Sequence, residues 1–264
     1  MRKFFANIIC AFIPDTALRR KVRNYFDKGN VTYFSFSTYY NSGKNNKIFI
    51  VKDGKRKQLS RFQKIRHLDI RFEGNNNEIE IEYPFKFNRG SFLGVRNTQG
   101  GGNRFSIGSN FWGKIIVTLC GTNVYFKIGK QCAVGYLAVS MTSGSVDIGD
   151  NCLISSKVLI HDDGHCVIDY ESGKLLNSEK PIVKIGNHCW LGFHTSYLKG
   201  ADIPDDCIVG LGSIVTKKFD KSHCVIAGSP AKIVKEGISW HGAPPCNYEK
   251  IKKVFMDKKN KKSL

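Results

Sequence analysis

The segment Ile185–Lys217 reads IGNHCWLGFHTSYLKGADIPDDCIVGLGSIVTK, and its large apolar residues recur at every sixth position. These residues are Ile185, Leu191, Tyr197, Ile203, Val209 and Val215. The same spacing is found upstream at Ile148, Ile154 and Ile160, and more briefly at Ile128 and Val134. A period of six fits neither an α-helix nor the simple alternation of a strand, so it indicates a structural repeat.

A small side chain follows most of these positions four residues later, at Cys132, Cys152, Cys189, Thr195, Ala201, Cys207 and Ser213. One large and one small inward residue in every six suit a narrow, three-sided β-solenoid. Each unit then forms one short strand and one turn, and three units close a coil. Because a single coil buries little surface, its stability must come from stacking on other coils.

The sequence divides into three regions around this solenoid. Residues 1–64 are predicted to form an extension that consists of an amphipathic helix followed by strands. The solenoid is expected over residues 65–220, and a polar loop at residues 166–184 should project from it, with Gly173 near the tip. Residues 221–264 are expected to form a last strand, a turn and short basic helices.

The formal net charge of +19 predicts a surface that attracts anions. No helix-turn-helix, zinc-finger or RNA-recognition motif accompanies the charge, so a nucleic-acid partner is not expected. Acidic glycans, anionic lipids and phosphate-bearing cofactors remain as candidate partners. The nine cysteines lack the paired CxxC motifs of a structural zinc site. They are typical of a reduced, cytoplasmic protein whose buried thiols act as compact apolar groups.

The amino terminus combines an apolar run, Phe4–Ile13, with a basic cluster from Arg19 to Arg23. The run is shorter than the roughly 20 apolar residues that span a bilayer, and no small-residue cleavage site of a signal peptide follows it. Residues 1–23 are therefore expected to form a helix that docks on the protein itself. The alternative is peripheral contact with the cytoplasmic face of the inner membrane, assisted by the basic cluster.

Residues 148–240 resemble the hexapeptide-repeat acyltransferases, and in particular the bacterial enzymes that O-acetylate sugars of capsules and lipopolysaccharides. The matching motifs are Asp163-Gly164-His165, Asn177, Ile185–Gly192, Leu198–Gly200, Val209–Lys217 and Ala227–Lys232. Several motifs in the same order and at similar spacings make the resemblance specific. The sequence departs from the family at Ser229, where Asn is usual, and the resemblance does not extend to residues 1–60.

The resemblance implies an all-β, left-handed parallel β-helix that assembles as a homotrimer, with active sites in the clefts between subunits. It implies an O-acetyltransferase that takes acetyl-CoA as co-substrate and modifies a sugar hydroxyl of a bacterial surface polysaccharide. The basic composition would suit an acidic saccharide acceptor. Direct transfer in a ternary complex is expected, because no Ser-His-Asp or Cys-His constellation stands out. No metal is expected.

Histidine suits the removal of a hydroxyl proton because imidazole titrates near neutral pH. His165 matches the catalytic base of the family, and Asp163 is a candidate to orient it, a role that Asp162 or Asp169 could also fill. Trp190 matches a tryptophan beside the thioester of acetyl-CoA. Glycines that would let the pantetheine arm approach the backbone, and lysines that could bind the CoA phosphates, complete the set: Gly192, Gly210, Gly212, Lys217 and Lys232.

Other histidines and other functions stay open at this point. His161, His188 and His194 are expected to point outward from the repeat, on the surface or between subunits. One alternative function is an N-acyltransferase that acts on a nucleotide-linked amino sugar, and its product would be an amide instead of an ester. Another is a non-catalytic solenoid that binds glycans, which would show no affinity for CoA.

Overall fold

The computed structural model of the protein describes residues 38–59, 65–162, 164–178, 180, 182–249, 251–252 and 256, without the side chains of residues 97–99. The chain divides into two units, residues 1–35 and residues 36–264. The first unit lies outside the described residues, and so does the helix predicted at residues 1–23. Within the described part of the chain, no helix combines the length and the apolar character that crossing a bilayer requires.

The described residues form short strands and one 3₁₀ helix, Pro245–Asn247. The strands are β1 (Tyr39–Asn41), β2 (Lys47–Lys52), β3 (Lys55–Gln58), β4 (Leu68–Asn75), β5 (Glu78–Glu82), β6 (Phe85–Phe87), β7 (Ser91–Gly101), β8 (Arg104–Ile107), β9 (Phe111–Leu119), β10 (Tyr125–Ile128), β11 (Ala133–Met141), β12 (Ser145–Ile148), β13 (Leu153–Ile154), β14 (Val158–His161), β15 (Ile182–Ile185), β16 (Trp190–Leu191), β17 (Ser196–Tyr197), β18 (Asp202–Ile203), β19 (Ile208–Val209), β20 (Ile214–Val215), β21 (Cys224–Gly228) and β22 (Ala231–Glu236).

The strands stack in three parallel faces. On the first face β13, β16, β19 and β21 pair in that order, and on the second face β14, β17 and β20 do so. The third face contains β8, β10, β12, β15 and β18. Strand β11 pairs with both β13 and β14, so this longer strand serves two faces. The architecture is a three-sided parallel β-helix.

The large residues of the six-residue repeat form three interior rows, one behind each face. The rows are Ile154, Leu191, Val209 and Ile226; Ile160, Tyr197 and Val215; and Ile148, Ile185 and Ile203. Every one of these side chains is at most 2% exposed. Burying one Val, Leu or Ile side chain contributes about 1.5–3 kcal/mol. The periodicity that predicted the solenoid is therefore also the source of its core.

One corner of each coil is turned by a residue in the left-handed backbone region. These residues have φ between 52° and 59° and each directly precedes an interior cysteine: Gln131, Asn151, His188, Asp206 and His223. Side-chain oxygens join neighbouring corners. Asp150 Oδ1 accepts the backbone N–H of Lys130 at 2.7 Å, and Asp205 Oδ1 accepts that of Asn187 at 2.7 Å. Hydrogen bonds therefore join neighbouring coils at the corners as well as along the strands.

Cysteines fill the small interior position at these corners. The side chains of Cys132, Cys152, Cys189, Cys207 and Cys224 are all buried. The Sγ atoms of Cys207 and Cys224 lie 3.5 Å apart. Burial is the main reason why the pKa of the Cys207 thiol is raised to about 12. The Cys207 thiol is therefore protonated at neutral pH, and the five buried side chains act as compact packing groups.

Two boundaries differ from the sequence-based expectation. Parallel stacking does not start at residue 65, because β1 already pairs with β4 and β2 with β5. The helix expected after the turn at residues 228–230 is instead β22, which pairs antiparallel with β21. A segment that lies beside an open strand edge gains ladder hydrogen bonds there, and this outweighs a weak helix propensity. Helical residues do follow at 248–249 and 251–252.

A loop of residues 162–181 connects β14 to β15 and leaves the regular coils. An isolated antiparallel bridge joins Ile168 to Leu175. Gly173 has a φ of +68° and its N–H donates to the Asp169 carbonyl at 3.0 Å. The loop is thus a short hairpin with Gly173 at its tip, and it begins where the candidate catalytic residues lie.

Iodoacetamide should modify Cys166 and Cys246 in the native protein and leave Cys207 and Cys224 unmodified. The first two are exposed, whereas the second two are buried, and alkylation requires an accessible thiolate. Peptide mass spectrometry before and after unfolding in guanidinium chloride measures the difference. Labelling of Cys207 in the native protein as fast as that of Cys166 would contradict the interior position.

Candidate active site

His165 lies at the base of the loop that follows β14, and it is exposed. Its carbonyl oxygen accepts a hydrogen bond from Asn177 Nδ2 at 2.7 Å. The Oδ1 atom of the same Asn177 accepts the backbone N–H of Val167 at 2.9 Å. Asn177 therefore connects the two sides of the loop at its base and holds the backbone on which the imidazole is carried.

A buried carboxylate secures the start of this loop. Asp162 is 6% exposed, and its Oδ2 accepts hydrogen bonds from the Thr142 N–H at 2.6 Å, the Thr142 hydroxyl at 2.8 Å and the Ser143 N–H at 2.8 Å. Thr142 and Ser143 follow β11, which is the strand that pairs with β14. The loop is thus bonded to the neighbouring coil three residues before His165, through charge-assisted hydrogen bonds.

The carboxylate that would orient His165 stays a prediction. Asp163 lies outside the described residues. The two alternative carboxylates have other partners: Asp162 caps the neighbouring coil, and Asp169 Oδ1 accepts the N–H and the hydroxyl of Ser172 at 2.8 and 2.6 Å. These hydrogen bonds from Ser172 hold the pKa of Asp169 below its usual range. Both carboxylates therefore serve the loop's own structure.

His161 points outward at the end of β14, as expected from its place after an interior residue. Its side chain is 42% exposed, and its Nδ1 lies 3.7 Å from Asp162 Oδ1. Neither of these two atoms has a hydrogen-bond partner among the described residues. His161 therefore borders the base of the loop without taking part in the hydrogen bonds that fix it.

Trp190 begins β16 and projects from the first face with 38% of its surface exposed. Its Nε1–H donates to the Ser155 hydroxyl, on the preceding coil, over 3.4 Å. The ring centroid of Trp240 lies 6.1 Å from that of Trp190, at an interplanar angle of 45°. Trp190 is thus bordered by two groups of its own chain and keeps part of its indole open to a ligand.

The surroundings of Trp240 were not predicted from the sequence. The Trp240 indole stacks on the His188 imidazole with centroids 4.5 Å apart and planes 9° apart, and its Nε1–H donates to the His188 carbonyl at 2.7 Å. His188 Nδ1 lies 2.8 Å from Asp206 Oδ1. His188, expected at a subunit contact, therefore has partners in its own chain. No sequence motif marks this cluster, because Trp240 is separated from His188 by 52 positions.

The three candidate glycines differ in what surrounds them. A Cβ on Gly192 would lie 2.6 Å from the Val209 carbonyl oxygen, and one on Gly210 would lie 3.1 Å from the Ala227 Cβ. Packing between coils therefore requires or favours glycine at both positions, whatever the ligand. Gly212 has a φ of +71° with open space where a Cβ would stand. Of the three, Gly212 offers the most accessible backbone.

The two candidate lysines are exposed, and they lie in different segments of the chain. Lys217 follows β20, and its Nζ lies 5.4 Å from the Phe219 ring centroid. Lys232 lies on β22 opposite Ala227. Within the described part of the chain, the structure records no contact of either lysine with His165 or Trp190. Their assignment to CoA phosphates stays a prediction.

His165, the candidate base, and the Trp190 indole do not contact each other within the described part of one chain. Among the described residues, no hydrogen bond or ring contact joins His165 to Trp190. The loop that carries His165 exposes Ile168 by 60%, Tyr170 by 100% and Leu176 by 59%. Exposed apolar side chains grouped in this way are typical of surfaces that contact another molecule.

Comparison with known proteins identifies relatives of the coils. A family model, the hexapeptide repeat of succinyl-transferase, matches residues 125–160 and 182–217. The polysialic acid O-acetyltransferase of Escherichia coli O1:K1 / APEC is 35% identical over 115 residues, which are 43% of this chain and 37% of that protein. The galactoside O-acetyltransferase of Escherichia coli K12 is 32% identical over 132 residues, which are 50% of this chain and 63% of that protein. The match thus spans less than two thirds of either relative.

Two solved structures resemble a larger part of the chain. The polysialic-acid-specific acetyltransferase NeuO superposes with a TM-score of 0.63 at 27% identity, over 80% of this chain and 91% of that chain. The polysialic acid O-acetyltransferase OatWY also gives a TM-score of 0.63, at 25% identity, over 82% of this chain and 99% of that chain. The predicted fold class, a left-handed parallel β-helix, is confirmed. The coils match the hexapeptide-repeat family model at residues 125–160 and 182–217, so the resemblance of residues 148–240 to the hexapeptide-repeat acyltransferases is confirmed.

Replacing Asn177 with Ala should lower acyl transfer about tenfold while the melting temperature stays nearly unchanged. The substitution removes two hydrogen bonds at the base of the loop, each worth about 0.5–1.5 kcal/mol, and so releases the backbone of His165. Asp169→Ala is the matched control, because it breaks the turn at the loop tip. Turnover and calorimetric melting of both variants measure the effect. Equal losses of activity would contradict a specific role for the loop base.

Proposed function

We propose that the protein is an acetyl-CoA-dependent O-acetyltransferase that modifies a sugar hydroxyl of a bacterial surface polysaccharide. The observation that carries this proposal is an exposed histidine, His165, held at the base of a loop by Asn177 and a buried Asp162. The chain that bears this loop resembles two solved polysialic acid acetyltransferases over 80% or more of its length.

In the proposed reaction His165 is the general base. One imidazole nitrogen takes the proton of the sugar hydroxyl while the hydroxyl oxygen attacks the thioester carbonyl carbon. The tetrahedral intermediate then expels the sulfur, so a C–O bond forms and the C–S bond breaks. The imidazolium returns its proton to the departing thiolate. The products are the acetyl ester and the free thiol of CoA. Asp163 would stabilise the imidazolium and select its tautomer.

Trp190 is proposed to contact the acetyl-CoA arm next to the thioester. Its partly exposed indole on the first face provides an apolar surface for that arm. The accessible backbone at Gly212 would let the pantetheine chain lie close to the helix. The exposed ammonium groups of Lys217 and Lys232 would then attract the CoA phosphates. Gly192 and Gly210 would contribute by keeping neighbouring coils close together.

The assembly that we propose is a homotrimer with its active sites between subunits. Two observations favour it. The described part of one chain does not bring His165 into contact with Trp190, and the loop that carries His165 exposes apolar side chains such as Ile168 and Tyr170. A neighbouring subunit would cover these side chains and supply the missing half of the site.

The acceptor is proposed to be an acidic saccharide. The net charge of +19 favours polyanions, and two similar structures are named for their action on polysialic acid, which is an acidic polymer. The reaction would take place in the cytoplasm, where acetyl-CoA is made. Residues 1–23 would either dock on the protein itself or hold the enzyme near the inner membrane, where surface polysaccharides are assembled.

Replacing His165 with Ala should lower kcat by about 10²–10⁴-fold, the usual contribution of a general base. Light scattering should show that the oligomer persists. His67→Asn is the control histidine substitution: His67 has a left-handed backbone, with φ of 66°, which Asn tolerates. Thiol release from acetyl-CoA gives the rate, and mild base should remove the acetyl group from the product, as it does from an ester. Near-normal turnover of the His165→Ala variant would reject the assignment.

The KM for an acidic acceptor should rise steeply with NaCl concentration, whereas that for a neutral acceptor of similar size should change little. Salt screens attraction between charges that remain exposed to solvent. Initial rates at saturating acetyl-CoA, over a series of salt concentrations, measure both values. The same modest salt dependence for the two acceptors would argue against an acidic substrate.

A further inference from the structure

We propose that Trp240 is a positioning residue for the acyl-donor site, acting through Trp190. Trp240 lies in residues 237–242, which follow β22 and which we call the C-terminal strap. The inference rests on the proposed role of Trp190 beside the thioester, and it adds that the strap fixes the orientation of that indole before the donor binds.

The strap crosses one corner of three successive coils. Gly237, with a φ of +69°, turns the chain out of β22. The Ile238 N–H then donates to the His223 carbonyl at 2.9 Å, and Trp240 Nε1–H donates to the His188 carbonyl at 2.7 Å. His223 and His188 occupy equivalent left-handed corners two coils apart, with φ of 57° and 52°. The Trp240 side chain therefore reaches the corner at His188, which lies two residues before Trp190.

The surface on which Trp240 rests is itself fixed. The His188 imidazole is stacked under the indole, with centroids 4.5 Å apart, and its Nδ1 lies 2.8 Å from Asp206 Oδ1 on the next coil. Asp206 Oδ2 in turn lies 3.8 Å from His223 Nε2. A stacked ring together with a directional hydrogen bond determines both the position and the rotation of Trp240. Trp240 is consequently a rigid neighbour for Trp190.

Trp190 lies between this rigid neighbour and Ser155. The Ser155 hydroxyl accepts its Nε1–H over 3.4 Å, and the Trp240 ring lies 6.1 Å away, centroid to centroid. A large side chain on a flat β-face would otherwise sample several rotamers. Trp240 occupies the space toward the corner and so restricts this freedom. Side chains that are ordered in advance lose less entropy when a ligand binds, which favours affinity for the donor.

Trp240→Ala should therefore raise the KM for acetyl-CoA and the Kd for CoA about tenfold, with kcat changed by less than about threefold. The reason is that the entropy cost of ordering the Trp190 side chain would then arise when the donor binds. The KM for the saccharide should stay unchanged. Trp240→Phe keeps a ring against Trp190 and His188 and loses only the hydrogen bond, so it should recover most of the donor affinity. Calorimetric titration with CoA and initial rates measure these effects.

Trp112→Ala is the matched control. Trp112 is 47% exposed and belongs to the same row of the first face, since it pairs with Ala133, which pairs with Leu153, which pairs with Trp190. The Trp112→Ala substitution therefore removes an exposed indole from the same face, three coils away from the proposed donor site. Donor affinity should be unaffected in this variant.

Circular dichroism gives a readout that a general loss of stability would not produce. The protein has three tryptophans, and two of them, Trp190 and Trp240, are close enough for their indole transitions to couple. The resulting exciton couplet in the far ultraviolet should disappear in Trp240→Phe and persist in Trp112→Phe. Loss of the couplet in Trp240→Phe, together with a raised KM for acetyl-CoA in Trp240→Ala at an unchanged melting temperature, would support the positioning role.

The outcomes separate this inference from the proposed function. If Trp190→Ala raises the KM for acetyl-CoA and Trp240→Ala does not, the role of the strap is overturned and the donor site stands. If neither variant changes the donor parameters while His165→Ala is inactive, the donor assignment of Trp190 fails and the inference fails with it. Should Trp240→Ala unfold, Trp240→Leu decides, because it removes the ring against Trp190 and keeps apolar bulk: an unchanged KM for acetyl-CoA in that variant overturns the inference.

Discussion

Every coil of this protein depends on the coils on either side of it. A strand of two residues, such as β16 or β19, forms its backbone hydrogen bonds only with strands of neighbouring coils. The corners follow the same rule, since Asp150 and Asp205 accept backbone N–H groups of the adjacent coils. A coil therefore has little stability alone. Candidate site residues cannot interrupt this stacking, so they lie either where the chain leaves the coils or on side chains that point outward from them.

The two parts of the candidate site follow from that constraint. His165 lies on the loop between β14 and β15, and the loop is bonded back to the stack by Asp162 and closed by Asn177. Trp190 remains within the stack and points outward, where only neighbouring side chains restrain it. The loop that carries His165 is thus held by hydrogen bonds at its base, whereas the Trp190 indole lies beside Ser155 and Trp240.

The sequence predicted those features that repeat. The rows headed by Ile148, Ile154 and Ile160 are interior as their spacing of six indicated, because both the period and the burial arise from the same coil geometry. Segments without the period were harder to assign. Strands β1 and β2 lack it and were placed before the solenoid, although they stack on β4 and β5. The sequence from Lys232 to Lys235 contains no pattern that predicts antiparallel pairing with the open edge of β21. Trp240 contacts His188 although 52 positions separate them in the sequence, and no local sequence pattern predicts a contact over that separation.

The antiparallel strand β22 has a consequence for the C-terminal end of the β-helix. A stack of parallel strands ends in a row of unpaired N–H and C=O groups, which could template the addition of another chain. On the first face β22 covers that row, because it pairs with β21 in the opposite direction. Its own outer edge carries Lys232, Lys235 and Glu236, all exposed, and charged edges resist further pairing. The hairpin thus acts as a terminator that protects the molecule against end-to-end fibre growth.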